Sequence, residues 1–219
     1  MSPGGRFSVQ ELTFSEIEAA SQEFRRREFR DPIYRVSTKL MEDVWNHDRS
    51  ATVTLADAVS VLLLVWNGAF YRYGPLDTAE LGKAIRKHKS ELDVLRSKDI
   101  RQAKDEDIDS IGTLFTDTLD ATSIHKGVKK ASSPVSAAKT LHLLAPDYFP
   151  LWDNAIAVGW GCRWYGHRDA CVKYQQFMRL TRDVMKKAEN KRLTLKKLDE
   201  CNFAIYTKDW YTPKKAHAG

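Results

Sequence analysis

Apolar positions along this chain recur at intervals of three and four residues and nowhere alternate for long. That period lays one face of a helix inward, so the pattern predicts helices throughout. Ser15 and Glu18 have the spacing of a capping box and open a first helix to about Phe29. Asp31–Pro32 restarts the chain, and Ile33, Val36, Leu40, Met41 and Val44 give the stripe of a second helix. Thr54 and Asp57 open a third, over 55–73, which is apolar nearly all round in its middle. Such a helix is expected at the centre of the fold. Asp77 with Glu80 opens a fourth helix, and Leu92, Val94 and Leu95 belong to a short fifth. A charged linker then leads to a helix carrying Ile108, Ile111, Leu114, Phe115 and Leu119. A long helix is expected from Asp169 to about Asn190, and a last one over 193–206. Residues 1–13, 46–52 and 207–219 read as irregular. The prediction is an all-α fold of about ten helices in two lobes with a cleft between them, forming one domain over residues 1–219.

The segment from Ser132 to Ala155, SSPVSAAKTLHLLAPDYFPLWDNA, concentrates the candidate chemistry. Ser133 before Pro134 is a helix start: a hydroxyl to cap free amides, then a proline where no N–H is needed. Lys139 and His142, three residues apart, share a face of that helix. It ends before Pro146, because a residue preceding proline disfavours the helical region. Tyr148, Phe149 and Trp152 fill the loop that follows, and Asp153 and Asn154 open the next helix. A lysine near a helix start, beside Lys129 and Lys130, is expected to have a lowered pKa, as an amine nucleophile requires. An aspartate at the next helix start can stabilise developing positive charge or orient a water. On spacing alone, a solvated lysine and a simple N-cap carboxylate account for the same two residues.

Composition narrows the class. Hydrophobic residues are 42% and charged residues 29%, the balance of a globular domain. The net charge of +6 is compatible with a polyanionic partner. The three cysteines, Cys162, Cys171 and Cys201, do not make a disulfide framework and point to a reducing compartment, the cytoplasm. The longest apolar run, over 59–66, is too short to span a bilayer, so no membrane is expected as a partner. Cys162, His167 and Cys171 lack a fourth ligand or a Cys-x-x-Cys pair, so no metal is expected. Glycine-rich phosphate loops and Gly-x-Ser-x-Gly elbows are absent from the sequence.

The order of short helix, tight turn, lysine-bearing helix, aromatic–proline loop and aspartate resembles the helix-hairpin-helix DNA glycosylase superfamily. Its signature is a hairpin ending in Gly-Val-Gly-x-Lys, followed by a Pro-Val-Asp loop. Ser133-Pro-Val-Ser-Ala-Ala-Lys139 stands for the hairpin end, with Pro134, Ser136 and Ala137 in place of the glycines. Phe149-Pro-Leu-Trp-Asp153 stands for the aspartate loop. The likeness covers about 127–157, with the hairpin and the loop within 124–157, and is nearest to compact 8-oxoguanine-glycosylase-like proteins. It implies a fold with a degenerate helix-hairpin-helix and a monomer acting on double-stranded DNA that carries a modified base, at the nucleoid.

The resemblance further implies that Lys139 is the Schiff-base lysine and Asp153 the catalytic aspartate. Base extrusion into a pocket requires aromatic platforms and base-edge partners. Trp152, Trp66 and Tyr148 are candidates for stacking, with Tyr71, Trp160, Trp164 and Tyr165 behind them, and His142 and Asn67 for hydrogen bonds. Lys126, Lys129, Lys130, Ser133 and Ser136 are candidates for phosphate contacts. The groups Arg25–Arg30 and Lys186–Lys197 read as solvated helix faces. No iron–sulfur cluster or other cofactor is implied, because the four-cysteine loop of some members is missing. A non-catalytic helical DNA-binding or interaction module on the same scaffold is the alternative, and a helical protein with no nucleic-acid role is the third reading.

Overall fold

The computed structural model describes residues 11–46, 54–126, 129–188 and 192–213. The irregular stretches expected at 1–10, 47–52 and 214–219 lie outside them. The chain is mostly helical, as its periodicity predicts. In order it forms α1 (Phe14–Arg27), α2 (Asp31–Asn46), α3 (Leu55–Trp66), α4 (Gly68–Tyr71), α5 (Thr78–Lys87), α6 (Lys89–Arg96), α7 (Asp105–Ser110) and α8 (Gly112–Ala121). A two-stranded ribbon, β1 (Ile124–Lys126) and β2 (Lys129–Ala131), precedes α9 (Pro134–Leu144), α10 (Asn154–Gly159), α11 (His167–Lys187) and α12 (Leu195–Asn202). A π-helical turn, Phe203–Thr207, continues α12.

Helix starts follow their caps. Ser133 accepts from the Ser136 amide and Pro134 takes the first position of α9, as the sequence predicts. Thr54 and Asp57 close a capping box on α3, also as predicted. The box on α1, by contrast, is Thr13 with Glu16, two residues ahead of the expected Ser15 and Glu18. Both pairs have the right spacing, and the earlier start brings Phe14 into the helix, where it packs against the core. α3 breaks at Asn67, well before the predicted end at Tyr73. The Asn67 side chain turns away to donate to Ser136 Oγ at 2.5 Å and Ser133 Oγ at 3.2 Å.

The central helix is α9. Nine of its eleven residues are buried, and the small Ser136, Ala137 and Ala138 let α3, α8 and α11 approach it closely. α3 was the expected centre, but it leaves Leu64 54% and Val65 38% exposed. An all-round apolar pattern does not say which helix the others surround. α1 packs on α12, and both meet the turn after α12; α2, α3, α5 and α8 form a second group against α9.

The ribbon was not foreseen, because three residues per strand are too few for alternation to register. Ile124 pairs with Ala131 and Lys126 with Lys129, so an antiparallel ribbon stands where the sequence pattern places the short helix and tight turn before α9. Gly74 lets it pass: a Cβ there would lie 2.9 Å from the His125 carbonyl oxygen.

Candidate active site

Lys139 and Asp153 come together. Both line a narrow pocket of about 40 Å³ where α1, α3, α9, α10 and α12 converge. Its walls also hold Glu28 and Arg30 from the turn after α1, Trp66, Trp152 and Asp199.

Lys139 is half-buried, and its Nζ donates to the Trp66 carbonyl at 2.7 Å. Burial is the largest influence on its ammonium and pushes its pKa down to about 8; Asp153, Asp199 and Glu28 oppose the fall and Arg30 adds to it. The expected cause was different. Lys139 is the sixth residue of α9, beyond the first turn where the helix dipole acts, and neither Lys129 nor Lys130 contributes.

Asp153 is the N-cap of α10. Its Oδ1 accepts from the Ile156 amide at 2.8 Å, and its Oδ2 accepts from Thr207 Oγ1 at 2.8 Å. Two donors from different elements fix the carboxylate beside Lys139. Gly159 sets how closely the α10 backbone approaches the turn after α12, since a Cβ there would meet the Tyr206 ring at 2.5 Å.

Of the aromatic candidates, Trp66 and Trp152 line the pocket. The Trp66 indole donates to the Arg30 carbonyl at 3.1 Å, and its ring stacks on Tyr34 at 5.4 Å. Trp152 is 1% exposed and lies in a cluster with Trp164 at 4.4 Å, Tyr174 at 5.4 Å and Phe177 at 6.2 Å. Tyr148 is corrected to a core residue: it is fully buried away from the pocket and packs edge-on against Phe149 at 5.1 Å. Tyr71 and Trp160 are likewise tied inward, to the Thr122 carbonyl and to Asn202 Oδ1.

His142 is also corrected. It is fully buried, its Nδ1–H donates to the Phe149 carbonyl at 2.7 Å, and its Nε2 accepts from Tyr34 Oη at 2.8 Å. Burial holds the ring neutral, with a pKa near 4. Nothing of it is left for a base edge. Asn67 is spent on Ser133 and Ser136 in the same way, which removes all three from the candidate contacts: Ser136 has no exposed surface and Ser133 has 8%.

The basic residues are redistributed. The side chains of Lys126 and Lys129 lie outside the described residues. Lys130 pairs with Asp120 at 2.9 Å and lines a separate, broad depression between the ribbon and the start of α5. Of the other two groups, Arg30 lines the pocket, and Lys196 stands behind it over the Phe24 ring of its wall. Arg30 makes a two-pronged pair with Glu28, both contacts at 2.7 Å. Lys196 reaches Glu200 at 2.9 Å and Asp31 at 3.1 Å while lying over the rings of Phe24 and Tyr34. From the sequence alone both fall on faces expected to be solvated.

Sequence reasoning missed Asp199. It is 7% exposed, lines the pocket, and its carboxylate has no hydrogen bond or ion pair among the described residues. Burial pushes its pKa up to about 7; Lys196 and Lys139 pull it down, and Asp153 and Glu200 add to the rise. A signal existed: Leu195, Leu198 and Asn202 mark the buried stripe of α12, and Asp199 falls on it. An acid on an apolar stripe is a candidate for function. Among the described residues no three His, Cys, Asp or Glu side chains gather to hold a metal, and no helix is long and apolar enough to cross a membrane. No protein family, characterised protein or solved structure matches the chain.

Proposed function

We propose that this protein is a DNA glycosylase that extrudes a modified base from double-stranded DNA and cleaves its N-glycosidic bond, leaving an abasic site. The observation that carries the reading is a lysine with a pKa lowered to about 8, sharing a pocket with a carboxylate fixed by two donors. An amine that loses its proton near neutrality can attack C1′ of the sugar, and a fixed anion stabilises the oxocarbenium-like transition state. The covalent intermediate that results allows strand cleavage. Arg30 lines the pocket but is held by Glu28, so it reaches a phosphate only if that pair opens. Phe29, 86% exposed between the pocket residues Glu28 and Arg30, is an apolar group for the gap left in the base stack.

A second reading has its own observation. A pocket of about 40 Å³ holds only a few waters, so a base enters only if the walls move. A scaffold that binds DNA without chemistry needs no such movement. Borohydride trapping on duplexes carrying a panel of modified bases separates the two. The wild type is expected to form a covalent adduct that Lys139→Gln does not form. Asp153→Asn should slow base release on the order of 10²–10³-fold. Asparagine is as good an N-cap as aspartate, so that loss is one of charge and not of the helix start. An adduct that persists in Lys139→Gln sinks the lysine's role. DNA binding with no base release from any duplex favours the non-catalytic module.

A further inference from the structure

Four carboxylates stand in or directly behind the pocket, and three are fully engaged. Glu28 holds Arg30. Asp153 accepts from Ile156 and Thr207. Glu200, on the far side of α12, accepts from Ser21 at 2.5 Å, Arg25 at 2.9 Å and Lys196 at 2.9 Å. Asp199 alone has no hydrogen-bond partner among the described residues, although it is more than nine-tenths buried and lines the pocket with Lys139. A buried carboxylate without a donor is costly unless something in the pocket supplies a proton to it.

We propose that Asp199 is a catalytic proton carrier: it takes the proton that Lys139 must lose before attacking the sugar and returns it to the departing base. This rests on the glycosylase reading. Through a water that the pocket between them can hold, the ammonium of Lys139 gives one proton to the Asp199 carboxylate, leaving a neutral amine and a carboxylic acid. The amine lone pair forms the bond to C1′ as the C1′–N bond to the base breaks, its electron pair leaving on the base nitrogen. Asp199 then protonates that nitrogen, the carboxylate is restored, and no outside acid or base is needed.

The surroundings suit a shared proton. Lys139 from α9 and Lys196 from α12 face Asp199 as cations, Asp153 and Glu200 as anions, and the Glu28–Arg30 pair sits across the pocket as a neutral unit. The ammonium form of Lys139 and the carboxylate form of Asp199 are both disfavoured by burial, so the tautomer with a neutral amine and a neutral acid lies close in energy. The singly protonated pair is the active form, since the doubly protonated pair has no free amine and the fully deprotonated pair has no acid.

Two measurements on the full chain test this. The first is the single-turnover rate of base release against pH for wild type, Asp199→Asn and Asp199→Glu. The wild type should give a bell. Asp199→Asn should lose the alkaline fall, rise with pH only, and be slower by roughly 10²–10⁴-fold. Asp199→Glu should restore part of the bell. An Asp199→Asn profile of wild-type shape and rate overturns the proposal and leaves the glycosylase reading standing. The second needs no DNA. The pH dependence of amine labelling at Lys139, read residue by residue by mass spectrometry, should move about one pH unit lower in Asp199→Asn, because the anion that favours the ammonium is gone. An unmoved midpoint overturns the shared proton. No base release from wild type at any pH removes the glycosylase reading and this catalytic role with it, while the labelling shift alone then decides whether the two groups share a proton.

Discussion

The pocket at Lys139 and the depression beside the ribbon both bring lysines and carboxylates together, but in opposite surroundings. The depression is far the larger, about 950 Å³, and carries Asp77, Glu80, Lys83, Lys87, Asp117 and Lys130. Its charges sit on the surface in pairs: Lys83 with Glu80 at 2.6 Å, Lys87 with Asp117 at 2.6 Å, Lys130 with Asp120 at 2.9 Å. His88 adds a further bond to Asp117 at 2.6 Å. Water screens such pairs; where they act on one another they favour the charged forms, Glu80 raising the pKa of Lys83, and Lys87 and His88 lowering that of Asp117. The pocket has room for only a few waters, yet its lysine and its free carboxylate are desolvated and unpaired with each other. Chemistry follows desolvation and unmatched charge, not the size of the hollow.

The comparison breaks first if the pocket wall is not a rigid frame. Trp152 is nearly fully buried against Trp164, Tyr174 and Phe177, and it forms the wall beside Asp153. Trp152→Ala should therefore destabilise the fold by about 3–5 kcal/mol, measured by denaturant unfolding. A loss below about 1 kcal/mol would mean that the wall is already loose enough to admit a base, and the small volume would then carry no argument.

The next test concerns desolvation itself. Asp199 binds its proton more tightly when folded, with a pKa about 7 against an ordinary 3.8. Between those values the folded chain holds a proton that the unfolded chain has released. The stability Asp199 contributes is thus complete below pH 3.8 and is lost as pH rises through 7. Asp199→Asn stays neutral throughout. Its stability relative to wild type should grow from pH 4 to pH 8, by up to about 4 kcal/mol at about 1.4 kcal/mol per pH unit. Lys139 works in the other window: stability rises with pH between about 8 and 10.5, as the buried ammonium is relieved of its charge. Unfolding midpoints at several pH values, parallel for the two proteins, would show that Asp199 is not desolvated.

How much of this was legible in the sequence depends on the range of the interactions. Ser133 and Pro134, Thr54 and Asp57, and Asp153 as a cap are local rules, and each stands where the sequence puts it. The meeting of Lys139 with Asp153 was also legible, because one short loop joins their helices. The fate of His142 was not. Spacing places it on the Lys139 face, but what it bonds is Tyr34, far earlier in the chain, and Phe149 across the loop. Asn67, Ser133 and Ser136 fail as surface contacts for the same reason: each is polar, and each finds its partner only when α3 and α9 pack. Asp199 joins the site from the last helix and Arg30 from the first turn. Only tertiary packing could reveal that the two ends of the chain close the pocket around its middle.

The smallest effect is expected in the depression, and its smallness is what sharpens the comparison. Lys83 and Glu80 are 65% and 56% exposed at the side chain, one helical turn apart on α5. Lys83→Gln should therefore cost little stability, because two long side chains must be held in place and water competes for both ends. Lys87→Gln should cost no more, since Asp117 keeps its bond from His88 when the lysine is gone. Raising the salt concentration should shrink both losses further, as screened surface pairs require, and should leave the labelling midpoint of Lys139 where it was. If either substitution instead costs over 2 kcal/mol, or moves that midpoint, then the depression and the pocket are one coupled electrostatic unit, and the contrast between a solvated face and a desolvated site does not hold.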